Sequence, residues 1–334
     1  MDRKNLFFKE HFFRGLITVC GGFVIVLTLA IGGFLLYKGV GTFTVYGHSP
    51  LEFFFSSDWA PVDSTAGGGQ VGAAIYIFGS IVTCALGLAI AAPFSFAAAI
   101  FMTEIAPKLG TKILQPTVEL FVGIPSVVYG WVGMTVLVPA IRDLFNLTHG
   151  YSVLAAGIVL AVMIFPTITT VTADALRSVP KDYRKAAYGL GATRWQVTYQ
   201  VVLPAAKTGI LTGIVLGLAR AFGEALAVAM VIGKTRAFPK NILSPTNNLT
   251  ASIASDMGGA MEGGEYNMAL WTMALLLFLI SLGFIFAIHY ISARSEKKEL
   301  ASRKGSESKK AMSASKEENT GNVEKKVIAS SQKS

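Results

Sequence analysis

Arg220 and Glu224 are the side chains whose type and spacing most directly suggest chemistry. They stand four apart in 208–233, a run otherwise built of apolar and small residues. On a continuous helix that spacing puts both on one face. At about 1.5 Å of rise per residue, Arg220 lies roughly 20 Å into the run. Leaving a charge unpaired at the centre of a membrane costs about 2.5 kcal/mol or more, so this face must look into a helix bundle or a watery cavity. A guanidinium fork matches the oxygens of a phosphate-like anion bidentately, which a lysine ammonium does not. Two accounts stay open. In one, Arg220 meets an oxyanion in passage while Glu224 holds the guanidinium and tempers its affinity; in the other, the two form an ion pair that stiffens the bundle. A pathway must release its cargo, so one tempered cation suits passage better than a cage of arginines.

The composition requires a membrane setting for such a pair. Of 334 residues, 52% are hydrophobic and 15% charged, against about 25% charged in an ordinary soluble domain. Six apolar runs reach the roughly 20 residues that a helix needs to cross the hydrocarbon core. They lie near 15–37, 72–102, 115–140, 152–173, 208–232 and 268–292. Prolines at 93, 116, 125, 139 and 166 fall inside three of them. A proline frees a backbone carbonyl that lipid cannot satisfy, so those faces should pack on protein or water. Gly213, Gly217 and Gly223 offer close packing beside Arg220.

Basic residues set the orientation. With the N-terminus inside, the inner segments hold 23 Lys and Arg against five outside, with Arg220 set aside; both termini and the segment 174–207 are therefore expected in the cytoplasm. Residues 1–14 mix Arg3, Lys4, Lys9 and Arg14 with four phenylalanines, as a helix lying in the headgroup layer would. Residues 15–292 make the transmembrane domain, and 293–334, rich in Lys, Ser and Glu, a disordered tail. In the first outer segment the glycines of TAGGGQVG lack a following Gly-Lys-Ser/Thr, so they read as a flexible turn rather than a phosphate loop. Phe53, Phe54, Phe55 and Trp59 read as an interfacial belt. Cys20 and Cys84 sit in apolar runs as small hydrophobes. The four histidines are scattered singly, and no metal site is expected.

The segment 174–207 is too long for a mere connector and carries six basic residues against two acidic. Pro180 suits the first turn of a helix, with Ser178 near enough to cap it. Gly189 and Gly191 favour its end. Thr193 and Gln196 have capping-box spacing for a second short helix, running towards Leu203 and stopped by Pro204. Small side chains on such a knob would let another protein approach closely.

Ala186-Ala187, then Gly191 after three residues, Val201 after nine more, and Leu203-Pro204 resemble the EAA loop of bacterial ABC-importer permeases, which docks in a cleft of a partner ATPase. Lys185 stands where that family commonly has Glu, and Val201 where Ile is usual. The stretches Gly123-Ile124-Pro125-Ser126-Val127-Val128-Tyr129-Gly130 and Gly217-Leu218-Ala219-Arg220-Ala221-Phe222-Gly223-Glu224 resemble phosphate-importer permeases, and Phe53 to Pro61 is similar to the PstC type of subunit.

The resemblance implies an all-α polytopic membrane protein with six transmembrane helices and type I ABC-importer permease architecture, in the bacterial inner membrane. It is a transport permease rather than an enzyme and holds no cofactor. ATP and Mg²⁺ would be bound by two copies of a partner ATPase. A second homologous permease and an extracytoplasmic phosphate-binding protein complete the implied assembly. ATPase coupling falls on Lys185, Ala186, Ala187, Leu190, Gly191, Leu203 and Pro204. The substrate pathway falls on Arg220 and Glu224, with Ser126 and Tyr129 as hydroxyl donors or as ordinary helix-packing groups. Alternatives are a permease for sulfate, molybdate or phosphonate, a gradient-driven secondary transporter, and a membrane scaffold or sensor.

Overall fold

The computed structural model describes residues 3–291 and 293. The tail expected over 293–334 therefore lies, but for residue 293, outside the described residues. The segment Met1–Ile285 forms one compact unit, and Phe286–Ser334 is assigned to a second.

In chain order the helices are α1 (Arg3–Gly39), α2 (Gly41–Thr44), α3 (Pro50–Phe55), α4 (Ala74–Ile100), α5 (Pro107–Leu109), α6 (Gln115–Gly123), α7 (Ser126–Val132) and α8 (Val138–Leu144). There follow α9 (Val153–Ser178), α10 (Lys181–Gly189), α11 (Arg194–Gln196), α12 (Leu203–Gly223), α13 (Leu226–Ala229), α14 (Leu249–Asp256) and α15 (Glu265–Ile291). Two short strands, β1 (Trp59–Ala60) and β2 (Gln70–Val71), pair antiparallel. Among the described residues, six helical stretches are long and apolar enough to span a membrane: Phe13–Thr44, Ala74–Ile105, Ser126–Leu144, Val153–Ser178, Arg194–Gly223 and Glu265–Ile291.

The number of spans agrees with the apolar runs, but two limits move. The third starts at Ser126, because Ile124 and Pro125 are extended and break α6 from α7. The fifth ends at Gly223, because Glu224 is extended. It also starts early, since Pro204 does not stop α11. A π turn over Val197–Val202 leads straight into α12, with Pro204 just after it, an irregular turn of the kind that accommodates a proline inside a continuous helix. The basic arm is not a separate element either, as α1 runs unbroken from Arg3 into the first span.

At the centre of the bundle, α9 buries most of its length against α4 and α12. Ser95 donates to the Phe165 carbonyl at 3.2 Å, joining α4 and α9 beside their internal prolines 93 and 166. Gly217 meets Ile168 and Gly213 meets Val171 and Thr172, so these glycines serve close packing, whereas Gly223 faces open space. Cys84 is buried in this core and Cys20 exposed on α1; both are free thiols.

At the end of the bundle opposite α10, two sequence expectations are corrected. Phe53 and Trp59 are buried in a second core cluster with Tyr76 and Leu270, and only Phe54 and Phe55 remain exposed for a belt. The glycine segment is not a loose turn, for it wraps the fully buried carboxylate of Glu265. Glu265 accepts from the amides of Val62 (2.7 Å), Gly68 (3.0 Å) and Gly69 (2.9 Å), and His48 Nε2 lies 2.8 Å away. A Cβ on Gly69 would fall 2.5 Å from the carboxylate, so only glycine fits. His48 is thus not isolated: its Nδ1 also stands 3.5 Å from Glu52. Glu265→Ala is expected to cost about 3 kcal/mol or more, since several buried amides lose their acceptor at about 1–3 kcal/mol each. A lowered unfolding midpoint of the purified protein in detergent checks this.

Candidate functional site: two helix breaks and a docking loop

Arg220 stands in the last turn of α12, beside the middle of α9. It donates from Nη1 to Thr167 Oγ1 at 2.9 Å, and Thr167 stands fourteen residues from Val153 and eleven from Ser178 in α9, or about 21 Å and 17 Å from its ends. Among the described residues no carboxylate pairs with the guanidinium. The expected ion pair with Glu224 is therefore absent, and the helix break explains why. Glu224 follows the last residue of α12 with an extended backbone, φ −76° and ψ 119°, so the four-residue spacing no longer shares a face. Its side chain turns instead to the amide of Ala227 at 3.2 Å and caps α13, while its carbonyl accepts from Thr250 Oγ1 at 2.7 Å.

The second break stands beside the first. Helix α7 packs on α13 closely enough that a Cβ on Gly130 would sit 2.7 Å from the Cα of Ala227. Ser126 opens α7, half-buried and, among the described residues, with no hydrogen-bond partner for its hydroxyl. Tyr129 donates to the Phe121 carbonyl at 2.8 Å, across the break, and the Arg220 charge reaches its hydroxyl electrostatically. The structure thus gathers Arg220, Glu224, Ser126 and Tyr129 around two adjoining interruptions of the bundle. Side chains meet backbone groups at the two interruptions, Tyr129 at the Phe121 carbonyl, Thr250 at that of Glu224 and Glu224 at the Ala227 amide, as non-helical backbone inside a membrane protein requires. A cavity of about 590 Å³ opens beside the breaks, lined by Val127, Met134, Leu226, Met230 and Lys234 among others but by none of Arg220, Glu224, Ser126 and Tyr129.

The segment expected to dock lies at the other end of α9. Helix α10 ends at Gly189, Gly191 takes φ +82°, and Thr193 and Gln196 form the full capping box. Ser178 does not cap α10; its hydroxyl donates back to the Ala175 carbonyl at 2.7 Å. Helix α10 presents two faces. Ala187 is half-buried and packs with Leu203 on a cluster of Ala99, Met102, Leu176 and Val179, so Ala187 belongs to the inward face and not to the knob. Outward stand Lys185, Ala186, Tyr183, Tyr188 and Leu190, the last 90% exposed, continued by Trp195 stacked on Tyr199. Lys185 makes one exposed pair with Asp182 at 3.5 Å. Its reversed sign therefore disturbs no internal contact.

Sequence reading missed Arg184 and Glu104. Arg184 Nη2 lies 2.8 Å from Glu104 Oε1, with both side chains largely buried. The only local hint was a cation on the face of α10 that also carries Ala187, three residues on.

Residues 91–297 match the family described as binding-protein-dependent transport system inner membrane component. The chain belongs to that family. It is a multi-pass membrane permease of the ABC-importer class. Over 293 residues it is 48% identical to the probable ABC transporter permease protein YqgH of Bacillus subtilis, covering 88% of this chain and 94% of that one. It is 35% identical to the phosphate transport system permease protein PstC of Pasteurella multocida, covering 89% and 96%. With the PstC of Xylella fastidiosa strain 9a5c it shares 33% over 87% and 92%. Its fold resembles a chain of a bacterial alginate ABC transporter solved with its alginate-bound periplasmic protein, with TM-score 0.56 and 16% identity over 87% of this chain and 96% of that one.

Proposed function

We propose that this chain is the permease subunit of an ATP-driven importer for inorganic phosphate, with both termini and α10 in the cytoplasm. The observation that carries the reading is Arg220: a guanidinium beside the middle of α9, hydrogen-bonded to a hydroxyl and, among the described residues, paired with no carboxylate. A cation held this deep gains most from an anionic guest, and its fork suits a tetrahedral oxyanion. The relatives named as phosphate permeases support phosphate as that guest. Ser126 would donate to the same anion, Tyr129 would do so only on releasing the Phe121 carbonyl, and Lys234 stands at the edge of the adjoining cavity.

Glu224 takes a different part from the one its spacing suggested. By capping α13 it holds the break open, and its charge sets the local field that the anion must cross. The two-faced α10 supports docking of a partner ATPase, which would supply ATP and Mg²⁺ chemistry. A second permease, two ATPase copies and an extracytoplasmic phosphate-binding protein complete the proposed assembly. The chain, co-purified with these neighbours and reconstituted, is expected to show ATP hydrolysis stimulated by phosphate-loaded binding protein. Stimulation by sulfate or molybdate in place of phosphate would reassign the substrate, and uptake by this chain without any ATPase would reject the reading.

A further inference from the structure

The outward face of α10 is free for a partner, but a docking helix transmits force only if its inward face grips the bundle. That face offers little apolar grip. No residue of α10 is buried, and Ala187 is among its few contributions to the cluster beneath.

The grip is polar and is centred on Arg184. Its Nη2 lies 2.8 Å from Glu104 Oε1, and the two side chains are 19% and 11% exposed. The same guanidinium donates to the carbonyls of Val179 at 2.6 Å and Leu176 at 2.8 Å. Beyond the Gly191 bend, Arg194 donates to the backbone carbonyl of Glu104 at 2.9 Å. Glu104 is thus held from both sides of the docking segment, through its carboxylate by α10 and through its carbonyl by α11. It lies in a π turn, Phe101–Ile105, that closes the span begun by α4. Leu176 and Val179 lie at the end of α9, whose Thr167 holds Arg220.

A charge-assisted bond shielded from water is stiffer and less screened than an exposed pair. The exposed Lys185–Asp182 pair on the same helix, at 3.5 Å with side chains 77% and 88% exposed, has no such quality. We propose that the Arg184–Glu104 pair is the joint through which displacement of α10 passes to α4 and α9, so that both are positioning residues coupling ATP hydrolysis to anion passage. This rests on the reading of α10 as the ATPase dock.

The test uses the full complex in proteoliposomes with Glu104→Gln, and with Glu104→Gln/Arg184→Gln, which leaves no orphaned charge. The ATPase should still co-purify, because the outward face of α10 is untouched, and hydrolysis should continue. Phosphate carried per ATP hydrolysed should fall about tenfold, the scale of loss expected when a coupling contact is cut. An unchanged ratio overturns the proposal. So does a parallel loss of hydrolysis and transport at constant ratio, or loss of the ATPase from the complex, since either is what a purely structural pair would give.

A second arm needs no transported substrate. In a Cys20→Ser background, the reactivity of a Ser126→Cys thiol is compared with and without ATP. A change on adding ATP that Glu104→Gln abolishes supports the joint, and one that survives Glu104→Gln overturns it. Failure of the wild-type complex to carry phosphate would count against the substrate reading and leave this second arm decisive for the joint.

Discussion

Arg220→Gln is expected to lower phosphate uptake by about a hundredfold or more while the complex stays assembled. A bidentate guanidinium–oxyanion contact makes two charge-assisted hydrogen bonds at about 1.5–3 kcal/mol each, and glutamine restores neither charge nor fork. The packing cost is small, because the guanidinium makes one hydrogen bond, to Thr167, which an amide can also make. Arg220→Lys should stay defective, since a point charge on a flexible stem does not reproduce the fork. Radiolabelled phosphate uptake and co-purification of the neighbouring subunits, measured on the same cells, check both. Wild-type uptake by Arg220→Gln would leave Arg220 a structural residue.

Glu224 gives this experiment its control. Its side-chain oxygen accepts from the Ala227 amide, and Glu224→Gln keeps that acceptor while removing the charge. Glu224→Ala removes both. Equal loss in the two variants assigns the effect to charge; loss confined to alanine assigns it to the cap and the break that it maintains.

Leu190→Asp should weaken association with the proposed ATPase by about thirtyfold or more, the effect of losing about 2 kcal/mol at a central interface anchor. Leu190 is 90% exposed among Tyr183, Tyr188 and Trp195, so within the permease it packs against little, and the yield of the permease itself should not change. Ala187→Asp is the informative contrast. It forces a carboxylate against the cluster of Met102, Leu176 and Val179 and should lower the stability of the loop, with weaker ATPase binding only as a consequence. Lys185→Glu should matter least, within about 1 kcal/mol, because exposed pairs contribute little. Co-purification ratios and unfolding midpoints of the three variants separate docking from folding.

Much of the architecture is written in short-range signals. Apolar run length and proline position fix that there are six spans and roughly where they lie. The Thr193–Gln196 box and the turn at Gly191 depend on neighbours within a few residues, and both form as their residue types require. The EAA-like spacing likewise picks out the segment that folds as two short helices about the Gly191 bend.

Helix continuity was less legible. Periodicity and hydropathy read through Ile124-Pro125 and Glu224-Ala225 because both lie in apolar surroundings, while the breaks are held by partners elsewhere. Glu224 is fixed in part by Thr250, 26 residues on, and α7 by its close fit to α13 at Gly130. The sequence alone therefore determined the class of protein, the number of spans and the local turns of the segment 174–207, since each depends on composition or on neighbours along the chain. Only the tertiary structure decided that Arg220 meets Thr167, that Ala187 faces inward, that Arg184 grips Glu104 from 80 positions away and that a glycine loop holds Glu265 from nearly 200. Those contacts join residues whose meeting is set by how the helices pack, and no local rule of spacing or propensity carries that information.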